Sequence, residues 1–392
     1  MPTERTYLDH NATSPLRPSA RAAMIEALSV VGNASSVHAE GRAARARVEE
    51  AREQVAELVG AAARAVTVTS GATEANTQAL SPEMEISGHP VRFDALLISA
   101  VEHPSVRAGG RFQPEQIESI AVDGDGVVDL AALDAQLARH QAAGHRVLVS
   151  VMAANNETGV IQPLAEIARR VHDAGGILHS DAVQVAGRVP FDLVASGADI
   201  ISIASHKLGG PQGAGALIVA NEDLRVPPLI RGGGQERGAR AGTENVAAIL
   251  GFAAAAREAQ QALDTEATRL KTLRDKAEAG IRAVAPNVVI ISAGAERLPN
   301  TLCFAVPGVA AETAIMAFDL EGVALSAGSA CSSGKVGPSE TLRAMRIAPE
   351  TAKGVMRLSI GWDTNESDIS RFLEVWKRVY QNLSQRMRER AA

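Results

Sequence analysis

The sequence predicts an α/β protein, with a mostly parallel sheet flanked by helices in a large domain and a smaller α+β domain after it. From about Ala65 to Val219, short β-branched runs alternate with helical stretches, as in parallel strands joined by crossover helices. These runs are AVTVTS, DALLIS, RVLVSVM, GILHSDA, DIISIAS and GALIV. Helical patterns over 41–58 and 245–283 predict two further helices, the second connecting the domains.

The C-terminal part of the chain has the pattern of the smaller domain. Strand-like NVVIIS, NTLCFAV and RLSIGW surround the helical pattern AAETAIMAFDL, and a charged helix is expected from about Glu366. We therefore expect a large domain over 15–260 and a small domain over 1–14 and 261–392. A length of 392 residues agrees with two domains.

The composition argues against nucleic acid and membrane as partners. A net charge of −6 gives no basic excess for a phosphate backbone. The sequence shows neither a signal-peptide pattern nor an apolar run that could cross a bilayer, so we expect a cytoplasmic protein. Cys303 and Cys331 are the only two cysteines, too few for a disulfide framework and too far apart for a metal knuckle. No metal site is therefore expected.

Several polar motifs follow predicted strands at their carboxyl ends, the edge where parallel sheets bind ligands. In VTVTSGATEAN, the N–H groups of Gly71, Ala72 and Thr73 predict a phosphate site, or simply a capped helix. In GILHSDAVQ, Asp181 interrupts an apolar strand. A pyridinium nitrogen would balance its charge and act as an electron sink, and a structural ion pair or a helix cap is the alternative.

Three more motifs are expected at the same edge. Lys207, in a Gly-rich turn, could form a Schiff base and then act as a general base, or could be a solvated surface lysine. His103, in SAVEHPSV, could stack on a cofactor ring and shuttle protons, or be an ordinary loop histidine. Asn155 and Asn156 suit an acceptor oxygen of cofactor or substrate, or cap a helix.

A reactive thiol and a carboxylate-binding arginine complete the candidates. Cys331 lies among Ser and Gly residues in LSAGSACSSG, which predicts a loop able to carry a thiolate into a site and out to a partner. Cys303, in NTLCFAV, is expected to be a small buried hydrophobe. Arg357 could grip a substrate carboxylate with two hydrogen bonds, or form a structural salt bridge.

Together these segments resemble the cysteine desulfurases of the nitrogen-fixation and iron–sulfur-cluster type, a class-V aminotransferase-like group of pyridoxal-phosphate enzymes. The resemblance runs nearly end to end, and it implies the aspartate aminotransferase-like fold type I. It rests on YLDHNATSPLRP, GNASSVH, TSGATEAN, EHPSV, NNETGVIQPL, HSDAVQVAG, SHKLGGPQGAGAL, GGGQERGARAGTENV, SAGSACSSG and RLSIG.

The resemblance implies a role for each matching residue. Lys207 would hold the cofactor covalently, Asp181 would pair with its pyridine nitrogen, Gln184 would face the ring hydroxyl and His103 would stack on the ring. The remaining cofactor contacts would come from Ala72, Thr73, Asn156, Ser205 and His206, and from Thr243 of a second subunit, which implies a homodimer. The substrate carboxylate would be bound by Asn33, Asn156 and Arg357.

The implied reaction transfers the sulfur of L-cysteine to Cys331 as a persulfide and releases alanine. The sulfur would then pass to an acceptor or scaffold protein for iron–sulfur cluster assembly or another pathway, and whether a cluster rests transiently on Cys331 is left open. Two alternatives remain at this point: a selenocysteine lyase or other class-V lyase or aminotransferase, and a catalytically silent platform for sulfur-handling proteins.

The sequence departs from the pattern of this group at two places. Ala204 stands where a serine is common, with Ser205 directly before His206. The stretch 81–93 matches no motif of the group, and no role is predicted for it.

Overall fold

The structure is a computed structural model that describes residues 5–328 and 339–391, with side chains described as far as Gln385. In chain order its strands are β1 (Thr6–Tyr7), β2 (Val66–Thr69), β3 (Glu83–Ile86), β4 (His89–Arg92), β5 (Ala95–Ser99), β6 (Ile117–Ile120), β7 (Val147–Ser150), β8 (Ile177–Asp181), β9 (Ile200–Ala204), β10 (Gly215–Val219), β11 (Leu224–Arg225), β12 (Val289–Ile290), β13 (Thr301–Ala305), β14 (Val323–Ala324), β15 (Ser326–Ala327) and β16 (Val355–Ser359).

The α-helices vary in length from one turn to the long connecting helix. They are α1 (Pro18–Leu28), α2 (Ala39–Glu57), α3 (Ala72–Ala79), α4 (Pro104–Arg107), α5 (Leu130–Ala142), α6 (Leu164–Asp173), α7 (Leu193–Ser196), α8 (Val246–Val284), α9 (Ala311–Leu320), α10 (Glu340–Ala344), α11 (Pro349–Ala352) and α12 (Glu366–Ala391). Among the described residues, no helix combines the length and apolarity needed to cross a membrane.

A seven-stranded sheet forms the centre of the larger unit, in the order β2-β10-β9-β8-β7-β5-β6. Its strands are parallel except β10, which runs antiparallel to β2 and β9. Both faces are buried, so the strands read as continuous apolar runs rather than as alternating patterns. This agrees with the predicted mostly parallel sheet, to which the structure adds β6, a strand the sequence patterns had not indicated.

A four-stranded antiparallel sheet, β12-β13-β16-β15, lies in the C-terminal part of the chain. Its core includes a cluster of aromatic rings: Trp376 stacks on Phe318 with centroids 6.2 Å apart and meets Phe304 edge to face at 5.7 Å. The N-terminal strand β1 pairs with β14, and Leu8 is buried in this second core. Residues 6–8 therefore pack with the C-terminal unit.

Helix α8 links the two cores. Its first half, including Phe252 and Ala256, packs in the core of the large sheet. Leu273 and Ile281, in its second half, pack in the second core. The predicted helix over 245–283 agrees with this helix to within about one residue at each end. The domain boundaries given above stay a prediction, and α8 crosses the predicted one at 260.

The stretch 81–93 forms a structure of its own. Strands β3 and β4 make an antiparallel hairpin, and β11 pairs with β3 to give a three-stranded sheet. Met84 and Phe93 are buried in a third apolar cluster with residues of β5. The same cluster includes Leu148 and Leu217 of the large sheet, so this segment is packed against that sheet.

Candidate active site

A cavity of about 540 Å³ opens where β2, β5, β7, β8 and β9 end. This is the carboxyl edge of the parallel strands, where the loops that follow them converge. Its described walls contain most of the predicted cofactor residues: Ala72, Thr73, His103, Asn156, Asp181, Gln184, His206 and Lys207. Residues that are up to 135 positions apart in the chain, such as Ala72 and Lys207, therefore share one site.

The end of the cavity next to α3 suits an anion. Gly71 precedes the helix with φ of +155° and no side-chain cap, so the first N–H groups of α3 are left for another acceptor. A Cβ on Gly71 would meet no atom within 4 Å, whereas a Cβ on Gly215 would lie 2.7 Å from the Cα of Gly71. Gly215 therefore lets β10 approach this turn closely.

Asp181 ends β8 with its carboxylate almost fully buried. Asn76 donates to Oδ2 at 2.8 Å, and the backbone N–H of Val183 donates to Oδ1 at 3.1 Å. Both donors are neutral, and in the described part of the chain Asp181 has no ion-pair partner. The carboxylate is thus held in place on the cavity wall with its charge uncompensated, as a protonated ring nitrogen would require.

His103 is the N-cap of α4, because its Nδ1 accepts from the backbone N–H of Ser105 at 3.2 Å. The neutral ring must then carry its proton on Nε2. Burial is the largest influence and lowers the pKa of His103, Asp181 opposes this and Lys207 adds to it. A neutral imidazole with a donor at Nε2 therefore lies in the cavity wall.

Lys207 follows β9 in a short 3₁₀ turn, Ser205–Lys207. Its Nζ donates to the carbonyl oxygens of Asn11 at 2.5 Å and Ala12 at 2.8 Å. The adjacent His206 contacts Thr13 Oγ1 at 3.1 Å through Nδ1. The amine is therefore positioned by the N-terminal segment of the chain.

Asn11 was not among the predicted site residues, although it lies in the motif YLDHNATSP. Its side-chain amide donates to the carbonyl of Asn156 at 3.1 Å and to Thr301 at 2.9 Å, and its oxygen accepts from Asn300 at 3.1 Å. Asn11 itself is fully buried. It thus joins the lysine, the strand-end loop after β7 and the C-terminal sheet.

Arg357 lies in β16 and is 1% exposed. Its guanidinium donates to Asp9 Oδ1 at 2.7 Å and to the carbonyl of Asn156 at 2.9 Å. Arg357 therefore forms the salt bridge that was one of its two predicted roles, and it also contacts Asn156, which lines the cavity. A carboxylate-binding role would require a substrate to approach at Asn156.

Two further buried carboxylates lie next to the site and were not predicted. Glu102 accepts from the backbone N–H of Met152 at 2.6 Å, its second oxygen is buried without a described partner, and burial raises its pKa well above the ordinary value. Glu157 accepts from Ser339 Oγ at 2.6 Å, and burial raises its pKa to about 7. Both residues lie in loops that follow strands, Glu102 after β5 and Glu157 after β7. The sequence motifs included these loops, but neither carboxylate was predicted as a site residue.

Three further predicted residues lie outside the cavity walls, and a fourth is not among the described residues. Ser205 is buried with its hydroxyl toward Gly210, and its Oγ has no hydrogen-bond partner among the described atoms. Asn33 is exposed, and its side chain accepts from the N–H of Ser35 at 2.9 Å in a local turn. Thr243 is exposed, outside the described walls of the cavity in its own chain. Cys331 falls in 329–338, outside the described residues.

The cavity fits pyridoxal phosphate on three independent grounds. The uncapped turn at Gly71 offers N–H groups to a phosphate, the uncompensated carboxylate of Asp181 suits a pyridinium nitrogen, and the amine of Lys207 lies on the same wall. A second cavity of about 630 Å³, between β11 and the turn Gln235–Gly238, has no lysine in its described lining. The cofactor chemistry therefore belongs to the first cavity.

Known proteins match this chain over nearly its whole length. The profile described as Aminotransferase class-V matches residues 6–372. A cysteine desulfurase of Cereibacter sphaeroides is 40% identical over 378 residues, which cover 95% of each protein, and the cysteine desulfurase NifS of Azotobacter vinelandii is 38% identical, covering 94% of this chain and 90% of that protein.

Solved structures show the same fold. The NifS-like protein of Rickettsia africae superposes with a TM-score of 0.86 at 34% identity, covering 96% of this chain and 100% of that one. Both the sequence and the fold of this chain thus match these proteins over nearly its whole length. The chain belongs to the class-V aminotransferase family and, within it, to the cysteine desulfurases, which are pyridoxal-phosphate enzymes.

Proposed function

We propose that the chain takes the sulfur of L-cysteine onto Cys331, releases L-alanine, and passes the sulfur to an acceptor protein. The observation that carries this proposal is the convergence of Lys207, Asp181 and His103 on one cavity next to Asn156. When bound, pyridoxal phosphate withdraws electrons from the substrate α-carbon, which makes its proton acidic. The chain itself must then supply a base, a carboxylate-binding group and a sulfur acceptor.

Each of these roles has a candidate. The neutral amine of Lys207 would take the α-proton, and Arg357 with Asn156 would orient the substrate carboxylate. His103, with its Nε2 proton, would stack on the cofactor and donate or receive a proton. In the sulfur step, the C–S bond breaks and an S–S bond to Cys331 forms. The thiol proton of Cys331 goes to carbon, so that cysteine and enzyme thiol become alanine and enzyme persulfide.

The assembly and the location of the protein are also proposals. Thr243 is exposed in its own chain, so a second subunit could bring this hydroxyl to the phosphate end of its partner's cavity. We therefore propose a homodimer that meets its sulfur-acceptor or scaffold protein in the cytoplasm. Light scattering of the purified protein measures the mass, and a monomer would contradict the dimer.

The experiment that tests the function compares three variants under reducing conditions. The parental protein should show a visible cofactor band and convert cysteine to alanine. We expect Cys331→Ala to keep the band and lose alanine formation, and Lys207→Ala to lose both. Cys303→Ala is the matched control, since its thiol is fully buried, and it should keep both. Alanine release by Cys331→Ala at the parental rate would refute the persulfide route.

A further inference from the structure

Arg188 is a buried arginine beside the active-site cavity, 7% exposed. Its guanidinium donates to Asn11 Oδ1 at 2.7 Å and to Gln184 Oε1. It also donates to the carbonyl oxygens of His10 at 3.0 Å and Lys207 at 3.1 Å. All four acceptors are neutral. The hydrogen bonds are therefore satisfied, while no carboxylate of the described residues forms an ion pair with Arg188.

A buried cation held only by neutral groups is costly, so its position calls for a reason. Burial and then the charge of Arg188 lower the pKa of His10 to about 3. Burial, then Lys207 and then Arg188 lower the pKa of His206 to about 4, so the field of Arg188 reaches the site. His206 precedes Lys207, whose main-chain carbonyl Arg188 contacts directly. The positive charge of Arg188 thus acts on the part of the cavity wall that contains Lys207.

The contact with Arg188 also decides how the amide of Gln184 is turned. Because the guanidinium donates to Oε1, the amide nitrogen Nε2 must point the other way. Nε2 donates to the carbonyl of Asn11 at 3.2 Å, and Gln184 lines the cavity. Its remaining N–H is therefore available to an acceptor inside the cavity.

We infer that Arg188 is a positioning residue that turns the amide nitrogen of Gln184 toward the ring oxygen of the bound cofactor and favours the neutral form of the Lys207 nitrogen. The inference deepens the proposed function: it rests on the role of base given there to Lys207 and on the contact with the ring hydroxyl that the family resemblance implies for Gln184. A lysine acts as a base only when it is neutral. Arg188 would therefore extend activity toward lower pH.

Other charges around the cavity differ from Arg188 in being paired or of opposite sign. The titratable groups described on or next to its walls are Glu74, Arg240, His10, His103, His179, His206, Glu102, Glu157, Asp181, Arg357 and Asp9. Burial lowers the pKa of the four histidines and raises that of Glu102 and Glu157, which favours the neutral form of each. Glu74 pairs with Arg240 at 3.0 Å and Arg357 with Asp9 at 2.7 Å, so their fields partly cancel. The negative charge of Asp181 favours the protonated form of the Lys207 nitrogen. Arg188 is thus a buried cation, without an ion-pair partner in the described part of the chain, that can offset the effect of Asp181 on this nitrogen.

The test is a pH titration of the visible absorption band of the holoenzyme, which reports protonation of the nitrogen that links Lys207 to the cofactor. Arg188→Met removes the charge at similar volume and should raise the midpoint by about one to two pH units. Arg188→Lys keeps the charge but cannot reach all four acceptors, so it should raise the midpoint less than Arg188→Met does. In a Gln184→Leu background the added effect of Arg188→Met should shrink, because part of it passes through the amide.

Arg274→Met is the matched control. Arg274 is equally buried but lies in α8, where it contacts Asp275 at 2.7 Å and the carbonyl of Leu298 at 2.9 Å. Its loss should leave the midpoint at the parental pH. If Arg188→Met does not fold, Arg188→Lys decides by itself.

The outcomes separate this inference from the proposed function. Parental midpoints in both Arg188 variants would overturn the role of Arg188 while the parental enzyme still converts cysteine. A parental protein without a visible band would overturn the proposed function and this inference together.

Discussion

Glu157 accepts a hydrogen bond from the hydroxyl of Ser339 at 2.6 Å, and both residues are buried. Ser339 is the first described residue after 329–338, the segment that contains Cys331. Glu157 directly follows Asn156, which lines the cavity. This bond therefore attaches the chain that follows Cys331 to the loop that carries a substrate-binding candidate.

The first prediction concerns stability and pH. Burial raises the pKa of Glu157 from 4.5 to about 7, although Ser339 and Arg357 act to lower it. A carboxyl group with a pKa raised by folding stabilises the fold below its unfolded pKa and loses this contribution as the pH rises through the folded value. Between pH 4.5 and 7, we expect the free energy of unfolding to fall by up to about 3 kcal/mol relative to Glu157→Gln. Urea unfolding measures both proteins, and parallel pH curves would contradict this.

The second prediction concerns substrate binding by Arg357. Arg357→Leu removes a guanidinium that can grip a carboxylate with two hydrogen bonds, worth about 1.5–3 kcal/mol. We expect the KM for cysteine to rise roughly 10- to 100-fold with a smaller change in kcat. Asp9→Asn is the control, because it removes the ion pair of Arg357 and keeps the guanidinium. An unchanged KM in Arg357→Leu would assign Arg357 a structural role alone.

The third prediction distinguishes the two thiols. Cys303 is fully buried, and burial followed by the charge of Glu157 raises its pKa to about 12. Because the thiolate is the reactive form, Cys303 should resist alkylation in the folded protein. The Cys331→Ala variant should therefore react with iodoacetamide only after unfolding, as followed by intact mass. Rapid labelling of this variant without denaturant would show that Cys303 is accessible.

The fourth prediction tests whether the second subunit completes the site. We expect Thr243→Ala to weaken cofactor binding and Lys207→Ala to abolish activity. Lys207→Ala chains contribute an intact Thr243, so mixed dimers with Thr243→Ala chains should regain one complete site and part of the activity. Alanine formation after co-expression measures this. Mixed dimers no more active than Thr243→Ala alone would place Thr243 outside the partner's site.

Much of the fold could be predicted because its signals are local. Buried parallel strands produce continuous apolar runs, and the patterns around β5, β7 and β9 lie where the structure has strands. The strand β6 was missed because IESI has the alternation of an edge strand and is only partly buried. The hairpin of β3 and β4 was missed because each strand has only four residues: the alternation of EMEI is short, and HPVR contains a proline.

The candidate site was predicted less completely. Asp181 ends β8 and Lys207 follows β9, both in recognisable motifs, so their meeting at one edge follows from parallel topology. Asn11 and Arg188 were missed because their importance lies in contacts across the chain: Arg188 meets Asn11 from 177 positions away. No local pattern distinguishes a buried arginine from an exposed one. Such networks become visible only when the tertiary contacts are known.

The central claim is that the sulfur of cysteine is transferred to Cys331. The most direct measurement is a single turnover of the holoenzyme with isotopically labelled cysteine, followed by proteolysis without reductant and mass spectrometry. The peptide that contains Cys331 should gain the mass of one labelled sulfur atom, while the peptide that contains Cys303 stays unmodified. Alanine release with no label on Cys331, or with the label on Cys303, would contradict the account.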